Sequence, residues 1–346
     1  MNTNDIQAPY LLFLGAETQI TYAKTAAGLA QWRPELCVGQ FILPGGTVDL
    51  GLPSISLQEA VKAGVKSVVI GTAPVGGRVP KQWIPFLEEA LSLGMDIVSG
   101  LHQRLNSIET IRTAAEAFGR RLIDVRLPPS ELPVASGINR QGNRLLMVGT
   151  DCAVGKKYTA LQLERDMCKL GIDADFRATG QTGIMIAGSG IPIDAVISDF
   201  VSGAAELISP QNSPDHWDVI EGQGSIYHPG YSAVSMGLLV GSQPDAFVVC
   251  HEAKRQNIMG WSSFKLPSIQ QVIDRTVEIG KQVNPSIQCV GVSINSSNLP
   301  ANERQKYFDS LSSEIGLPCV DPMLDGTDSI IRFMLQKKLC NLPSEN

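Results

Sequence analysis

The residues of this chain best suited to chemistry lie in the run Gly149-Thr150-Asp151-Cys152-Ala153-Val154-Gly155-Lys156-Lys157. The run follows an apolar stretch at 144–148 and opens a helical pattern at 155–170. Glycines there let the backbone wrap so that several N–H groups point at one anion, and the helix N-terminus adds its positive dipole end. Gly149, Thr150, Asp151, Gly155, Lys156 and Lys157 are thus candidate phosphate ligands, with Lys156 reaching the phosphate as a point charge. Two features depart from an ordinary P-loop. Five residues separate Gly149 from Gly155 where four are usual, and Lys157 stands where a Mg²⁺-holding Ser or Thr normally follows the lysine. The nearest hydroxyl is Thr159. A second cation at that position argues against Mg-nucleotide hydrolysis and suits a phosphate bound without metal, so no metal is expected.

Three further segments carry candidate groups where α/β sheets place their ligands, at the ends of strands. In Arg177-Ala178-Thr179-Gly180-Gln181-Thr182-Gly183, glycines around Gln181 and Thr182 suggest backbone approach with amide and hydroxyl contacts, or else a plain polar turn. In Trp217-Asp218-Val219-Ile220-Glu221-Gly222-Gln223-Gly224-Ser225, followed by His228, an acid ends an apolar run and Gly-x-Gly follows. Glu221 would face the P-loop, either as a base or as the group that holds Lys156 in place; Gln223 and His228 are ligand candidates. In Cys250-His251-Glu252-Ala253-Lys254-Arg255, His251 could be a general base or a phosphate ligand among nearby charges. Asp199 could cap a helix starting near Ser202 or face the site. Cys152 sits at a helix N-terminus, which lowers a thiol pKa, but shows no partner for nucleophilic catalysis and reads as a small loop residue.

The elements that must position these groups alternate along the chain. Strands are expected at 10–14, 36–40, 67–70, 96–99 and 121–125, with helices near 21–32, 57–63, 83–93 and 108–118. After a Pro- and Gly-rich stretch at 126–143, alternation resumes with strands at 144–148, 195–197, 217–220, 246–250, 288–294 and 319–321 and helices at 155–170, 232–240, 268–283, 302–315 and 328–339. Such alternation means βαβ units and parallel sheets. The expected architecture is therefore α/β, with a Rossmann-like parallel-sheet domain over 1–135 and a P-loop NTPase-like domain over 136–346. In the first domain Gly45-Gly46, Gly71-Thr72-Ala73-Pro74-Val75-Gly76-Gly77 and Ser99-Gly100-Leu101-His102 look like ligand-facing loops. The fingerprint Gly-x-Gly-x-x-Gly is missing after the first strand, which weakens a nicotinamide-dinucleotide reading.

Bulk properties narrow the partners. The 346 residues, 43% apolar, can bury a large core. A net charge of −6 argues against a nucleic-acid binder. Seven scattered cysteines without a C-x-x-C pair fit a reducing cytoplasm rather than a disulfide or zinc framework. Residues 1–9 lack a signal-peptide pattern, and no apolar run reaches the ~18 residues of a membrane span. The expected partner is a small-molecule amino acid, with no nucleic acid and no membrane, in a homo-oligomer.

The longer P-loop resembles that of dethiobiotin synthetase. Nearly the whole chain resembles the D-glutamate N-acetyltransferase family, a two-domain P-loop family. The resemblance rests on Gly51-Leu52-Pro53-Ser54-Ile55-Ser56-Leu57, on Asp96-Ile97-Val98-Ser99-Gly100-Leu101-His102, on the P-loop through Tyr158 and Thr159, on 178–183, and on Asp215-His216 leading into 217–225. It implies acetyl transfer from acetyl-CoA to the amino group of a D-amino acid, D-glutamate being the reference acceptor. It departs from the family at Ala253-Lys254, where Pro-Thr is expected after His251-Glu252. On this reading Gly149, Thr150, Asp151, Gly155, Lys156, Lys157, Tyr158 and Thr159 hold coenzyme A. Glu221 or His251 is the base, with Lys156 the third catalytic candidate. Arg177, Gln181, Thr182, Gln223, His228, Lys254 and Arg255 meet the acceptor. The alternatives are an ATP-dependent ligase or kinase of the dethiobiotin synthetase type, and a non-catalytic acyl-CoA or nucleotide sensor.

Overall fold

The computed structural model describes residues 6–74 and 76–342; residues 1–5 of the N-terminal stretch and Val75 of the glycine loop at 71–77 lie outside them. The chain divides into two compact units, Met1–Pro129 with Gly180–Ala195, and Ser130–Thr179 with Val196–Asn346. Residues 180–195 thus return to the first unit, which a single boundary near 135 does not capture.

The first unit carries β1 (Tyr10–Gly15), α1 (Lys24–Trp32), β2 (Cys37–Ile42), α2 (Leu57–Lys62), β3 (Ser67–Ile70), α3 (Ile84–Ser92), β4 (Asp96–Ser99), α4 (Glu109–Phe118) and β5 (Leu122–Asp124). The strands pair in parallel in the order β2-β1-β3-β4-β5. β1, β3 and β4 are buried along their whole length, as expected where a parallel sheet is covered on both faces. Ser56 and Glu59 form a capping box that starts α2, and Gly119, at φ 61°, ends α4 in the left-handed region.

The second unit begins with β6 (Asn143–Gly149) and α5 (Lys156–Lys169), then β7 (Ala174–Arg177). The chain passes through α6 (Gln181–Ala187), which belongs to the first unit, and continues with α7 (Val201–Ile208), β8 (Trp217–Ile220), α8 (Ser232–Ser242) and β9 (Ala246–Glu252). A short hairpin of β10 (Asn257–Ile258) and β11 (Trp261–Lys265) precedes α9 (Ile269–Gly280), β12 (Gln288–Asn295), α10 (Ala301–Ile315), β13 (Cys319–Val320) and α11 (Asp328–Gln336). The main sheet is parallel throughout, in the order β13-β12-β9-β6-β8-β7. β6 has β8 on one side and β9 on the other, so the strand order switches at β6, where an open α/β sheet forms its ligand crevice. The P-loop leaves β6 at that point.

Three expectations change. No strand forms at 195–197: Ile193–Ala195 is a 3-10 turn closed by the Pro192 carbonyl, and Ile197 is exposed. Asp199 is exposed in the 3-10 turn Ser198–Phe200, and α7 starts after Phe200 without a side-chain cap. The Pro/Gly-rich stretch has no regular structure but is pinned to the second unit. Ser136 and Gly137 donate backbone N–H bonds to the Glu206 carboxylate at 2.8 and 2.9 Å, and the buried Arg144 guanidinium donates to the carbonyls of Arg140, Gln141 and Gly142 at 3.0 Å. Among the described residues no helix is long and apolar enough to cross a membrane.

Candidate active site

The loop after β6 is held from inside. Gly149 has no room for a side chain: a Cβ there would lie 2.9 Å from Val154 Cγ2 and 3.1 Å from Lys156 Nζ. Gly155, at φ 106°, supplies the left-handed turn that starts α5. Lys156 is 7% exposed and donates from Nζ to the Asp151 carbonyl at 2.7 Å. Burial holds its pKa below the usual lysine range, with the neighbouring Cys250, Cys152 and Asp151 opposing. A phosphate in the loop would restore the ammonium's charge partner.

Asp151 is completely buried and knits the loop to the β9–β10 connection and to the turn between β10 and β11. One carboxylate oxygen accepts from the Cys152 N–H at 2.6 Å; the other accepts from Arg255 Nη1 at 2.9 Å and the Met259 N–H at 2.7 Å. Arg255 also donates to the Cys152 carbonyl at 2.8 Å and pairs with Glu252. Its guanidinium is thereby committed to the loop itself, which makes it a buttress where the sequence suggested an acceptor contact.

Thr150 donates its N–H to the Cys250 carbonyl at 3.0 Å, and its Oγ1 lies 3.1 Å from His251 Nδ1. The β6–β9 pairing sets this contact, since Gly149 aligns with Cys250. Burial, helped by the charge of Arg255, pushes the His251 pKa down to about 4, so the ring is neutral at neutral pH. Thr159 is completely buried and its Oγ1 is engaged with the Gly155 carbonyl at 3.1 Å and with Ser293 Oγ at 2.7 Å. Lys157 lies over the Tyr158 ring, 4.3 Å from its centroid, and burial raises the Tyr158 pKa, with Glu221 adding to it.

Across the loop, Glu221 is buried at the end of β8 and accepts from the Thr179 N–H at 2.9 Å; the Thr179 hydroxyl donates to the Glu221 carbonyl at 2.8 Å and accepts from Gln223 Nε2 at 2.9 Å. A Cβ on Gly222 would fall 1.6 Å from the Met147 carbonyl oxygen and 3.0 Å from Lys156 Cδ. The Glu221–Gly222 turn therefore lies directly on β6 and on the lysine stem, which only glycine permits.

His228 is 1% exposed and stacks on Tyr231 at 4.5 Å, with Trp261 edge-on at 4.7 Å. Its Nδ1 accepts from the Gly230 N–H at 3.0 Å, which leaves Nε2 to carry the proton of the neutral ring. Nε2 has no hydrogen-bond partner and faces Asp151 Oδ1 at 3.9 Å. Burial lowers the His228 pKa, against the pull of Asp151. Asp151, Cys152 and His228 bring ligand atoms within 4.8 Å of one another. These donor types suit a soft divalent ion, but the cations Lys156 and Arg255 bear on the same loop and oppose one. Burial raises the Cys152 thiol pKa, with Lys156 opposing, so the helix N-terminus does not leave it a ready thiolate.

The remaining sequence candidates hold other partners. Arg177 pairs with Asp218 at 2.6 Å and Asp175 at 3.1 Å. Asp218 aligns with Arg144 near the start of β6, at the opposite end of that strand from the P-loop. Lys254, at φ 63°, pairs with Glu303 at 3.2 Å, both half exposed. Gln181 and Thr182 are in the first unit: Thr182 Oγ1 lies 3.1 Å from Thr25 Oγ1, and the Gln181 amide lies against Gly100. Gly100 and Gln181, both in the first unit, are thus brought together, a pairing that no spacing in the sequence reveals. Sequence reasoning also missed a cavity of about 430 Å³ beside the P-loop, lined by Val154, Tyr158, Asn295, Arg304, Asp321 and Leu324 among others. Its residues come from four separate elements, α5, β12, α10 and the end of β13, so no local motif announces it.

Residues 43–128 match a family described as a domain of unknown function, DUF1611_N, Rossmann-like domain, and residues 133–331 match its DUF1611_C P-loop domain. Two relatives, each named D-glutamate N-acetyltransferase, come from Pseudoalteromonas sp and Tritonibacter scottomollicae. They are 47% and 45% identical over 326 residues, covering 94% of this chain and 98% of each relative. The crystal structure of a DUF1611 family protein from Anabaena variabilis has a TM-score of 0.84 to this chain at 31% identity, covering 95% of this chain and 99% of that one. The fold is a Rossmann-like N-terminal domain followed by a P-loop C-terminal domain.

Proposed function

The chain belongs to the D-glutamate N-acetyltransferase family of DUF1611 proteins, and on that footing we propose that it moves an acetyl group from acetyl-CoA to the amino group of D-glutamate. The observation that carries the choice of donor is the P-loop. Lys156 is buried in it, Lys157 stands in place of the Mg²⁺-holding hydroxyl, and Thr159 is turned into the core against Ser293. Such a loop suits a pyrophosphate whose bonds are not to be broken, as in coenzyme A. The seven free cysteines support a cytoplasmic site of action.

The acceptor's ammonium must lose a proton before it can attack. We assign this step to His251, whose Nε2 is left as an acceptor when Nδ1–H is donated to Thr150 Oγ1; its low pKa makes it a weak base that holds the proton only briefly. His251 hands that proton to solvent; the free amine nitrogen then bonds to the thioester carbonyl carbon, and the second proton it sheds passes to the vacated ring and on to solvent. Hydrogen-bond donors at the thioester must stabilise the oxyanion, a contribution of about 3–4 kcal/mol per well-placed donor. The C–S bond breaks and coenzyme A leaves as the thiolate. Glu221 acts as a positioning residue, holding Thr179 and the turn that lies on Lys156. Thiol release from acetyl-CoA in the presence of D-glutamate tests this reading. Activity that survives Lys156→Ala undiminished, or no thiol release with any amino acid, would sink it.

A further inference from the structure

Resting on the acetyl-CoA reading, we propose that the cavity beside the P-loop holds adenosine bearing a ribose phosphate, and that Arg304 is the residue that reads that phosphate. The cavity, about 430 Å³, falls in the roughly 300–1,000 Å³ range of small-molecule pockets. It opens directly from the P-loop through Val154 and Tyr158, so a nucleoside in it is joined naturally to a pyrophosphate in the loop. Its walls are mainly apolar, and at its edge Met323 and Leu324 are 42% and 57% exposed. A flat base would cover such surfaces.

Arg304 is the feature that a plain adenosine does not explain. Its Nε is buried and has no hydrogen-bond partner. Asp321, the carboxylate on the same cavity, is not that partner: its oxygens accept from the Ser296 hydroxyl at 2.5 Å, the Ser296 N–H at 3.1 Å and the Met323 N–H at 3.0 Å. A guanidinium on the wall of a nucleoside-sized cavity, its Nε without a hydrogen-bond partner, offers its charge to an anion, and its planar fork matches a phosphate. Coenzyme A carries such a group on its ribose; ADP and ATP do not.

The test is calorimetric titration of the full chain with coenzyme A and with 3′-dephospho-coenzyme A, for the wild type, Arg304→Gln and Arg304→Lys. The wild type should bind coenzyme A on the order of 10- to 100-fold more tightly than the dephospho form. Arg304→Gln should remove most of that preference and Arg304→Lys should retain part of it, with unchanged thermal unfolding of both free proteins. Equal affinity of the wild type for the two ligands, with acetyl transfer intact, overturns the role of Arg304 and leaves the acetyl-CoA reading standing. An equal weakening of both ligands by Arg304→Gln also overturns it. Absence of binding and of transfer with either ligand overturns both.

Discussion

Thr159 Oγ1 lies 2.7 Å from Ser293 Oγ, and both hydroxyls are shut away from solvent. The first aliphatic hydroxyl after the P-loop lysine is thus spent joining α5 to β12. Acetyl transfer should proceed at the same rate in excess EDTA as with added Mg²⁺. A rate that collapses on chelation and returns with the metal would contradict this account of the loop.

Lys156 is the cation on which the donor site depends. Lys156→Ala should raise the KM for acetyl-CoA by about 10- to 100-fold, the effect of one charge-assisted hydrogen bond of about 1.5–3 kcal/mol. Steady-state kinetics with acetyl-CoA varied at saturating D-glutamate reads this directly.

His251 gives a pH signature. Its folded pKa, about 4, lies below the ordinary histidine value of 6.5, so the unfolded chain binds more protons between those values. Its contribution to stability is present above pH ~6.5 and is lost as pH falls toward 4, by at most about 3 kcal/mol. Denaturant unfolding from pH 7 to 4 should show a shallower acid loss for His251→Gln than for the wild type. In kinetics, the acid limb assigned to His251 should fall near pH 4 and not near 6.5.

Arg255 and Lys254 separate buttress from contact. Arg255→Ala leaves the buried Asp151 carboxylate without its ion-pair partner, which costs roughly 3–5 kcal/mol and should lower the Tm sharply. Lys254 and Glu303 are both more than half exposed, so Lys254→Ala should change stability by less than about 1 kcal/mol. A rise in the KM for D-glutamate in that variant alone would make Lys254 an acceptor contact.

Gly222→Ala places a methyl group into the Met147 carbonyl and must push the Glu221 turn off Lys156. A loss of about 1–3 kcal/mol in unfolding free energy is expected, together with weaker acetyl-CoA binding.

Much of this was legible in the sequence, for reasons particular residues show. β3, β4 and β8 each centre on adjacent β-branched apolar residues bounded by turns, and the P-loop is a local motif whose glycines serve one backbone path. β7 was hidden because Asp175 and Arg177 interrupt its apolar pattern, and α6 because glycines at 180, 183 and 188 look like loop punctuation. The long-range partners were not legible at all. Nothing local shows that Asp151 takes Arg255, that Arg177 takes Asp218, or that Thr182 lies on Thr25, because each pairing depends on strand order and helix docking.

The most direct measurement is free-thiol release from acetyl-CoA with D-glutamate, L-glutamate or no acceptor, with the product identified by mass. The account predicts release that depends on D-glutamate, matched mole for mole by N-acetyl-D-glutamate, and weakened in Lys156→Ala at sub-saturating acetyl-CoA. Release without acceptor, no release at all, or ADP formed from ATP in place of thiol would contradict it.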